Sequence, residues 1–241
     1  MATAVFGSPI KKVYGETVSL TTTAAHLAFR LGYHEAMLYC PTAFRMGLAP
    51  RLARVKYYNG TTYTDYTALA TDRDSSTHVP LDAMAATHYL YLGVTGKVRG
   101  FYFDIGTNVN SEAAGLDWEY CSAVSAAGVG TFSDVAGDTD GTKTTQTLDT
   151  DGLYSFTLPA VVRGAIVALD GEMLYWYRFT PSIALSATVD INEIIPACDT
   201  VNYSYLEAGI AYQFALNLAE TGAFEFDHTG SDTLDVSWIQ H

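Results

Sequence analysis

Charge, cysteine and long apolar runs are all scarce in this chain. Only 16% of its 241 residues are charged, and 13 Lys plus Arg stand against 26 Asp plus Glu, a formal net charge of −13. So few cations cannot neutralise a run of phosphates, which excludes nonspecific nucleic-acid binding. Cys40, Cys121 and Cys198 lie far apart without a CxxC pair. An odd, unclustered set is neither a disulfide framework nor a zinc site, and it predicts folding in a reducing cytoplasm. No apolar run is long enough to span a bilayer, and Met1–Ile10 lacks the charged region and apolar core of a signal peptide. The expectation is therefore no membrane partner.

Signatures of catalysis are missing too. The histidines at 26, 34, 78, 88, 228 and 241 have no metal-ligand spacing, and there is no Gly-x-Ser-x-Gly, His-Glu-x-x-His or P-loop. Neither Cys40 nor Cys121 sits in a nucleophile motif. A nonenzymatic protein without a cofactor is expected.

What the chain does have is β-forming sequence. Hydrophobic residues make up 49% and aromatics 13%, seventeen of them Tyr, which argues for an ordered, β-rich fold. The stretch Gly171–Phe179 is central: Met173, Tyr175, Tyr177 and Phe179 alternate with Leu174, Trp176 and Arg178. An extended backbone then carries two large faces, as in the middle of a sandwich. Upstream, Tyr154, Phe156 and Leu158 alternate with Leu153, Ser155 and Thr157 until Pro159, which cannot donate to a ladder.

Period two dominates elsewhere as well. Strands are predicted at Ala36–Cys40, Ala53–Tyr58, Tyr63–Thr67, His88–Leu92, Phe101–Ile105, Leu116–Tyr120 and Val189–Pro196, with three more after residue 210. Asn59-Gly60 is a hairpin signal. Thr21–Leu31, closed by Gly32, is the best short-helix candidate, although Val18 and Leu20 could equally lead a strand onward. The resulting expectation is an all-β fold, a jelly-roll-like β-sandwich built as two packed β modules with little helix. The predicted divisions are an extended arm at 1–16, a β region at 17–84, a sandwich module at 85–196, and C-terminal strands at 197–241 that could pack on the N-terminal region. An echo of Val55–Asp72 in Trp118–Asp140 fits either two tandem sandwiches or the limited vocabulary of hairpins.

Several residues invite chemistry. Asp138-Thr-Asp-Gly141 and Asp149-Thr-Asp-Gly152 could offer oxygens to calcium, or their carboxylates could cap their own turns. The Gly falls at the fourth position, which does not fit an EF-hand. Asp117 and Glu119 share one face of a strand around Trp118, an arrangement open to a glycosidase pair but more simply the wet side of a sheet. Exposed Tyr and Trp could stack on sugars, yet Trp118, Trp176 and Trp238 all lie in alternating strands, where core packing is the commoner fate.

Charge is unevenly distributed. Residues 1–56 carry seven cations and two anions, +5; the remainder carries six against 24, −18. A basic front and an acidic back suggest self-assembly or docking by the front, with Lys11, Lys12, Arg45, Arg51 and Arg54 as the docking candidates. A chance asymmetry on a solvated surface is the plain alternative.

The ordered strings YLYLG (89–93), FYFDIGTNVN (101–110), LDWEYCSA (116–123), DTDGT (138–142), DGLYSFTLP (151–159), LYWYRF (174–179) and VDINEIIP (189–196) give residues 88–196 a likeness. This segment resembles a β-sandwich module of tailed-bacteriophage virion proteins. It departs from that pattern at Tyr120-Cys121, where Trp is more usual, and at Val161-Val162, where an aromatic often follows the proline. The resemblance implies a nonenzymatic virion structural protein, made in the host cytoplasm and present in several copies. A capsid decoration or minor capsid protein is the first expectation, with major capsid or tail proteins and its own copies as partners. A tail, baseplate or fibre component that binds a host surface glycan is the alternative.

Overall fold

Segments that alternate apolar and polar side chains leave each strand one face to bury, and sheets packed face to face satisfy that need. The computed structural model describes residues 12–30, 32–160, 162, 169 and 171–240. In chain order the elements are β1 (Lys12–Leu20), β2 (Ala25–Ala28), β3 (Glu35–Tyr39), β4 (Phe44–Pro50), β5 (Leu52–Tyr58), β6 (Tyr63–Asp65) and the short α1 (Thr67–Thr71). Then come β7 (Val79–Pro80), β8 (Tyr89–Val94), β9 (Gly100–Ile105), β10 (Leu116–Val124), β11 (Gly130–Asp134), β12 (Thr139–Asp140) and β13 (Gly152–Ser155). The chain continues with β14 (Tyr175–Pro181), β15 (Asp190–Ala197), β16 (Ser204–Leu206), β17 (Ala211–Ala215), β18 (Thr221–Asp227) and β19 (Asp232–Gln240). The fold is all-β.

Four antiparallel sheets result, in two pairs. Sheet β11-β10-β14-β8-β5-β6 packs on β12-β13-β9-β15-β7 around Leu90, Leu92, Phe101, Phe103, Trp118, Tyr177, Phe179 and Ile194. Sheet β1-β19-β3-β17 packs on β16-β4-β18-β2 around Leu38, Phe44, Phe224, Phe226, Val236 and Trp238. The larger sandwich is one continuous run, residues 52–197, inserted between β4 and β16 of the smaller. The C-terminal strands are interior members of the smaller sandwich: β18 lies between β4 and β2, and β19 between β1 and β3.

This connectivity revises several expectations. A module boundary at residue 85 does not hold, because β5 pairs with β8 through Val55↔Leu92 and Tyr57↔Leu90, which places 52–84 in the larger sandwich. The helix expected over 21–31 is instead β2, since Leu27 and Phe29 are buried on either side of a less buried Ala28, a period of two. Of the arm at 1–16, residues 1–11 lie outside the described residues, while Lys12–Glu16 begin a nine-residue pairing of β1 with β19. The internal echo marks no tandem sandwiches. Its β5–β6 and β10–β11 hairpins occupy the two edges of one sheet.

The sandwiches meet through their inner sheets, stacking the molecule four layers deep. Ala223 on β18 sits opposite Ala28 on β2 and Ala49 on β4, and these small side chains pack with Ile195, Cys198, Tyr102 and Tyr203. At Gly47 a Cβ would lie 2.4 Å from Cys198 Sγ and 2.7 Å from the Tyr203 ring, so only glycine permits this approach. Arg99 donates to the fully buried Glu225, which also accepts from Cys198 N at 2.9 Å. His26 stacks on Tyr102 at 4.8 Å, and burial holds its imidazole neutral, with a pKa of about 4.

Candidate binding face

The outer face of the six-stranded sheet gathers the aromatic and charged residues that the sequence singles out. One row crosses all six strands: Asp65, Lys56, Tyr91, Arg178, Glu119 and Asp134 are successive cross-strand neighbours. The row exists because these residues occupy the positions opposite in phase to the buried Val55, Leu90, Leu92, Tyr177, Phe179 and Trp118.

Arg178 is its centre. Nε donates to Glu119 Oε2 at 2.7 Å and Nη1 to the Tyr91 hydroxyl at 2.9 Å. The guanidinium carbon lies 4.1 Å from the ring centroids of both Tyr89 and Phe132, a double cation–π stack. At the β6 end Lys56 Nζ donates to Asp65 at 2.8 Å. Partial burial alone would raise the Asp65 carboxyl, but donors from Lys56 and Thr67 outweigh it and hold it at about 2. Tyr63 packs on Tyr58 at 4.7 Å and on Tyr91 at 5.8 Å, and burial with Tyr91 pushes its hydroxyl up to about 12. It therefore stays protonated and can both donate and accept at neutral pH.

Part of this face is already covered. Leu169 and Leu174 pack on Trp176, Ala53 and Cys121. Gly93 makes room for them, since a Cβ there would meet Leu174 at 2.8 Å and Trp176 at 2.9 Å. The open part runs from Tyr89 to the β5–β6 hairpin, where Tyr63 is exposed and Asn59 Oδ1 accepts from the backbone of Thr61 and Thr62.

The other sequence candidates resolve as follows. Asp117 is exposed while Glu119 is committed to Arg178, so the two are not a matched pair across a cleft. All three tryptophans are buried. Of the Asp-Thr-Asp-Gly carboxylates, Asp140 and Asp149 cap their own turns, while Asp138 and Asp151 accept from groups on β13 and β9. Asp140 accepts from Thr142 N at 2.9 Å, Asp149 from the backbone of Thr144, Thr145 and Gln146, Asp151 from Ile105 N at 2.8 Å, and Asp138 from the Tyr154 hydroxyl at 2.6 Å. Among the described residues no group of three or more His, Cys, Asp or Glu could hold a metal.

Two of the five docking candidates are paired within the chain. Arg45 pairs with Asp227 and Arg54 with Glu172, whereas Arg51 is exposed just beyond β4. Lys11 and the Lys12 side chain lie outside the described residues. Sequence reasoning missed a different surface: the outer face of β1-β19-β3-β17, which exposes Val13, Met37 and Tyr39 beside Thr17, Ser237 and Gln213. The alternation of Glu35-Ala-Met-Leu-Tyr39 carried the signal, because Ala36 and Leu38 are the obvious core members and leave Met37 and Tyr39 facing out.

No protein-family model matches the chain, and no curated protein sequence matches it.

Proposed function

We propose that the chain is a structural component of a bacteriophage particle, a decoration or minor capsid protein that docks on the shell or on neighbouring copies of itself. The observation that carries this reading is the outer face of β1-β19-β3-β17. Val13 is 58%, Met37 38% and Tyr39 40% exposed, and their neighbours are mostly small or uncharged. A monomer has little reason to leave such side chains in water on one sheet, and a protein contact would cover them. The virion-module resemblance of residues 88–196 supplies the setting. With Arg45 and Arg54 paired inside the molecule, the contact is apolar in character rather than a dock of basic residues onto an acidic surface.

The test is cryo-electron microscopy of shells lacking the protein, incubated with the wild-type chain or with a Met37→Glu, Tyr39→Glu variant. Regular decoration by the wild type that persists at raised salt and is lost in the variant supports the reading. Decoration that the variant retains, or no decoration at all, overturns it.

The aromatic row around Arg178 favours one second reading, a tail or fibre component that binds a host surface glycan. Its exposed Tyr63 ring, packed on the half-buried Tyr58, is suited to a sugar face, and the neighbouring carboxylates to hydroxyls. Labelling of host cells that is lost with Tyr63→Ala and leaves shells bare would promote it.

A further inference from the structure

At one edge of the junction between the two sandwiches lies a carboxylate with no ion-pair partner among the described residues. Glu193 on β15 is nine-tenths buried, and its Oε1 has neither solvent nor, among the described residues, a hydrogen-bond partner. Directly across the ladder on β9 stands Asp104, so two carboxylates face each other on neighbouring strands. Like charges in that position repel, and a buried one has no water to screen it.

Arg73, the cation that acts on Glu193, is hydrogen-bonded to another carboxylate. Asp72 and Arg73 follow α1, and Glu16 projects from β1. Arg73 donates to both oxygens of Glu16, at 3.3 and 3.0 Å, while Arg30 and Trp238 Nε1 donate to the same carboxylate. Burial alone would raise the Glu16 carboxyl, yet those donors hold it below the usual range, so Glu16 is the ionised member of the group. Asn192 beside Glu193 donates to Asp104 at 3.2 Å. Arg51, Arg54, Thr67, Thr71 and Thr221 line the same cavity of about 250 Å³ that Glu193 borders. Arg54 is spent on Glu172. Thr67 Oγ1 donates to Asp65, and Thr71 donates to the Thr67 carbonyl.

We propose that Glu193 is a proton-operated latch on this junction: protonated, it lets the larger sandwich close on the smaller, and ionised, it loosens that contact. Burial first, then the neighbouring Asp104, Asp72 and Glu16, push its pKa to about 7 against the pull of Arg73, and burial raises Asp104 as well. The sign follows from linkage. A carboxyl whose pKa is raised by folding favours the closed state at low pH. That preference declines from the unfolded value near 4.5 up to about 7 and is gone above it. The adjoining cavity gives the side chain somewhere to swing once charged. In a particle protein such a latch would couple the angle between two stacked sandwiches to the acidity of the medium.

Infrared titration of the full chain reads the latch directly. The carbonyl stretch of a protonated carboxyl should persist well above pH 5, disappear with a midpoint near 7, and be absent from Glu193→Gln. Asp104→Asn, which removes the facing charge, should move that midpoint to lower pH. Over the same range the wild type should lose melting temperature relative to Glu193→Gln. If Glu193→Gln does not fold, the wild-type titration and Asp104→Asn carry the test. A carboxyl band that titrates near 4.5, that survives Glu193→Gln, or whose midpoint ignores Asp104→Asn overturns the proposal.

Discussion

Arg178 on β14 and Glu119 on β10 are cross-strand partners joined by a 2.7 Å hydrogen bond, with the guanidinium clamped between Tyr89 and Phe132. The arrangement needs a planar cation: two aromatic faces take its plane while its edge serves Glu119 and Tyr91. Arg178→Ala should cost about 2 kcal/mol in urea unfolding, since it removes two stacks and strands a partly buried carboxylate. Arg178→Lys should recover less than half of that loss. Equal stability of the Lys variant and the wild type would mean that charge alone matters there.

The spacing of the two sandwiches can be tested at Gly47. Gly47→Ala places a methyl against Cys198 Sγ and Tyr203, and relieving that overlap should cost about 1–3 kcal/mol. Because Cys198 is buried at this contact, its labelling by a thiol reagent, followed by peptide mass spectrometry, should accelerate in the variant. Labelling of Cys121, distant in the larger sandwich's outer layer, should not change.

Glu225 tests the charged part of the same junction. Glu225→Ala leaves Arg99 Nη2 and Cys198 N without their acceptor in a site where Glu225 itself is fully buried, while Arg99 Nε keeps the Cys198 carbonyl at 2.8 Å. Removing one partner of such a pair costs about 3–5 kcal/mol, enough to lower the denaturation midpoint markedly. Arg99→Ala should be comparably harmful, and the double variant less harmful than the sum of the two.

Asp149 bears on the calcium question. Slight burial would raise its carboxyl, but the backbone donors of Gln146, Thr144 and Thr145 outweigh that and hold it far below the usual carboxylate range. A depressed carboxyl stabilises the fold above its unfolded pKa and loses that contribution as pH falls through the folded one. Asp149→Asn should therefore flatten the acid limb of the melting curve below about pH 4. Its carboxylate is occupied by the turn, so neither calcium nor a chelator should shift the melting temperature of the wild type at neutral pH. A calcium-dependent rise would place the ion where the turn donors now sit.

Much of this molecule is legible in local pattern. Tyr177 and Phe179 alternate with Trp176 and Arg178, and the structure buries the first two in the core between the sheets and turns the others to the opposite face. The hairpin at Asn59-Gly60 also follows from single residues, whereas the strand expected to run up to Pro159 ends at Ser155. Thr21–Leu31 misled because Ala-rich sequence satisfies helical and extended patterns alike, and pairing of β2 with β18 decided between them. The pairing of two docking candidates was hidden for a related reason: Asp227 and Glu172, the partners of Arg45 and Arg54, are 182 and 118 residues away in the chain.

By itself, then, the sequence determined that the protein is all-β, which side chains fill each strand's buried face, and where most turns fall, because those properties depend on neighbours one to four residues apart. Tertiary structure alone decided that residues 52–197 form a sandwich inserted into another, that Arg178 gathers Tyr89, Tyr91, Phe132 and Glu119, and that Glu193 meets Asp104 while Arg73 is held by Glu16. Each of these is a cross-strand or interlayer relationship. Strand order is free of sequence order once the connections are long, so the physical state of a side chain such as Glu193 is set by partners that no local spacing can name.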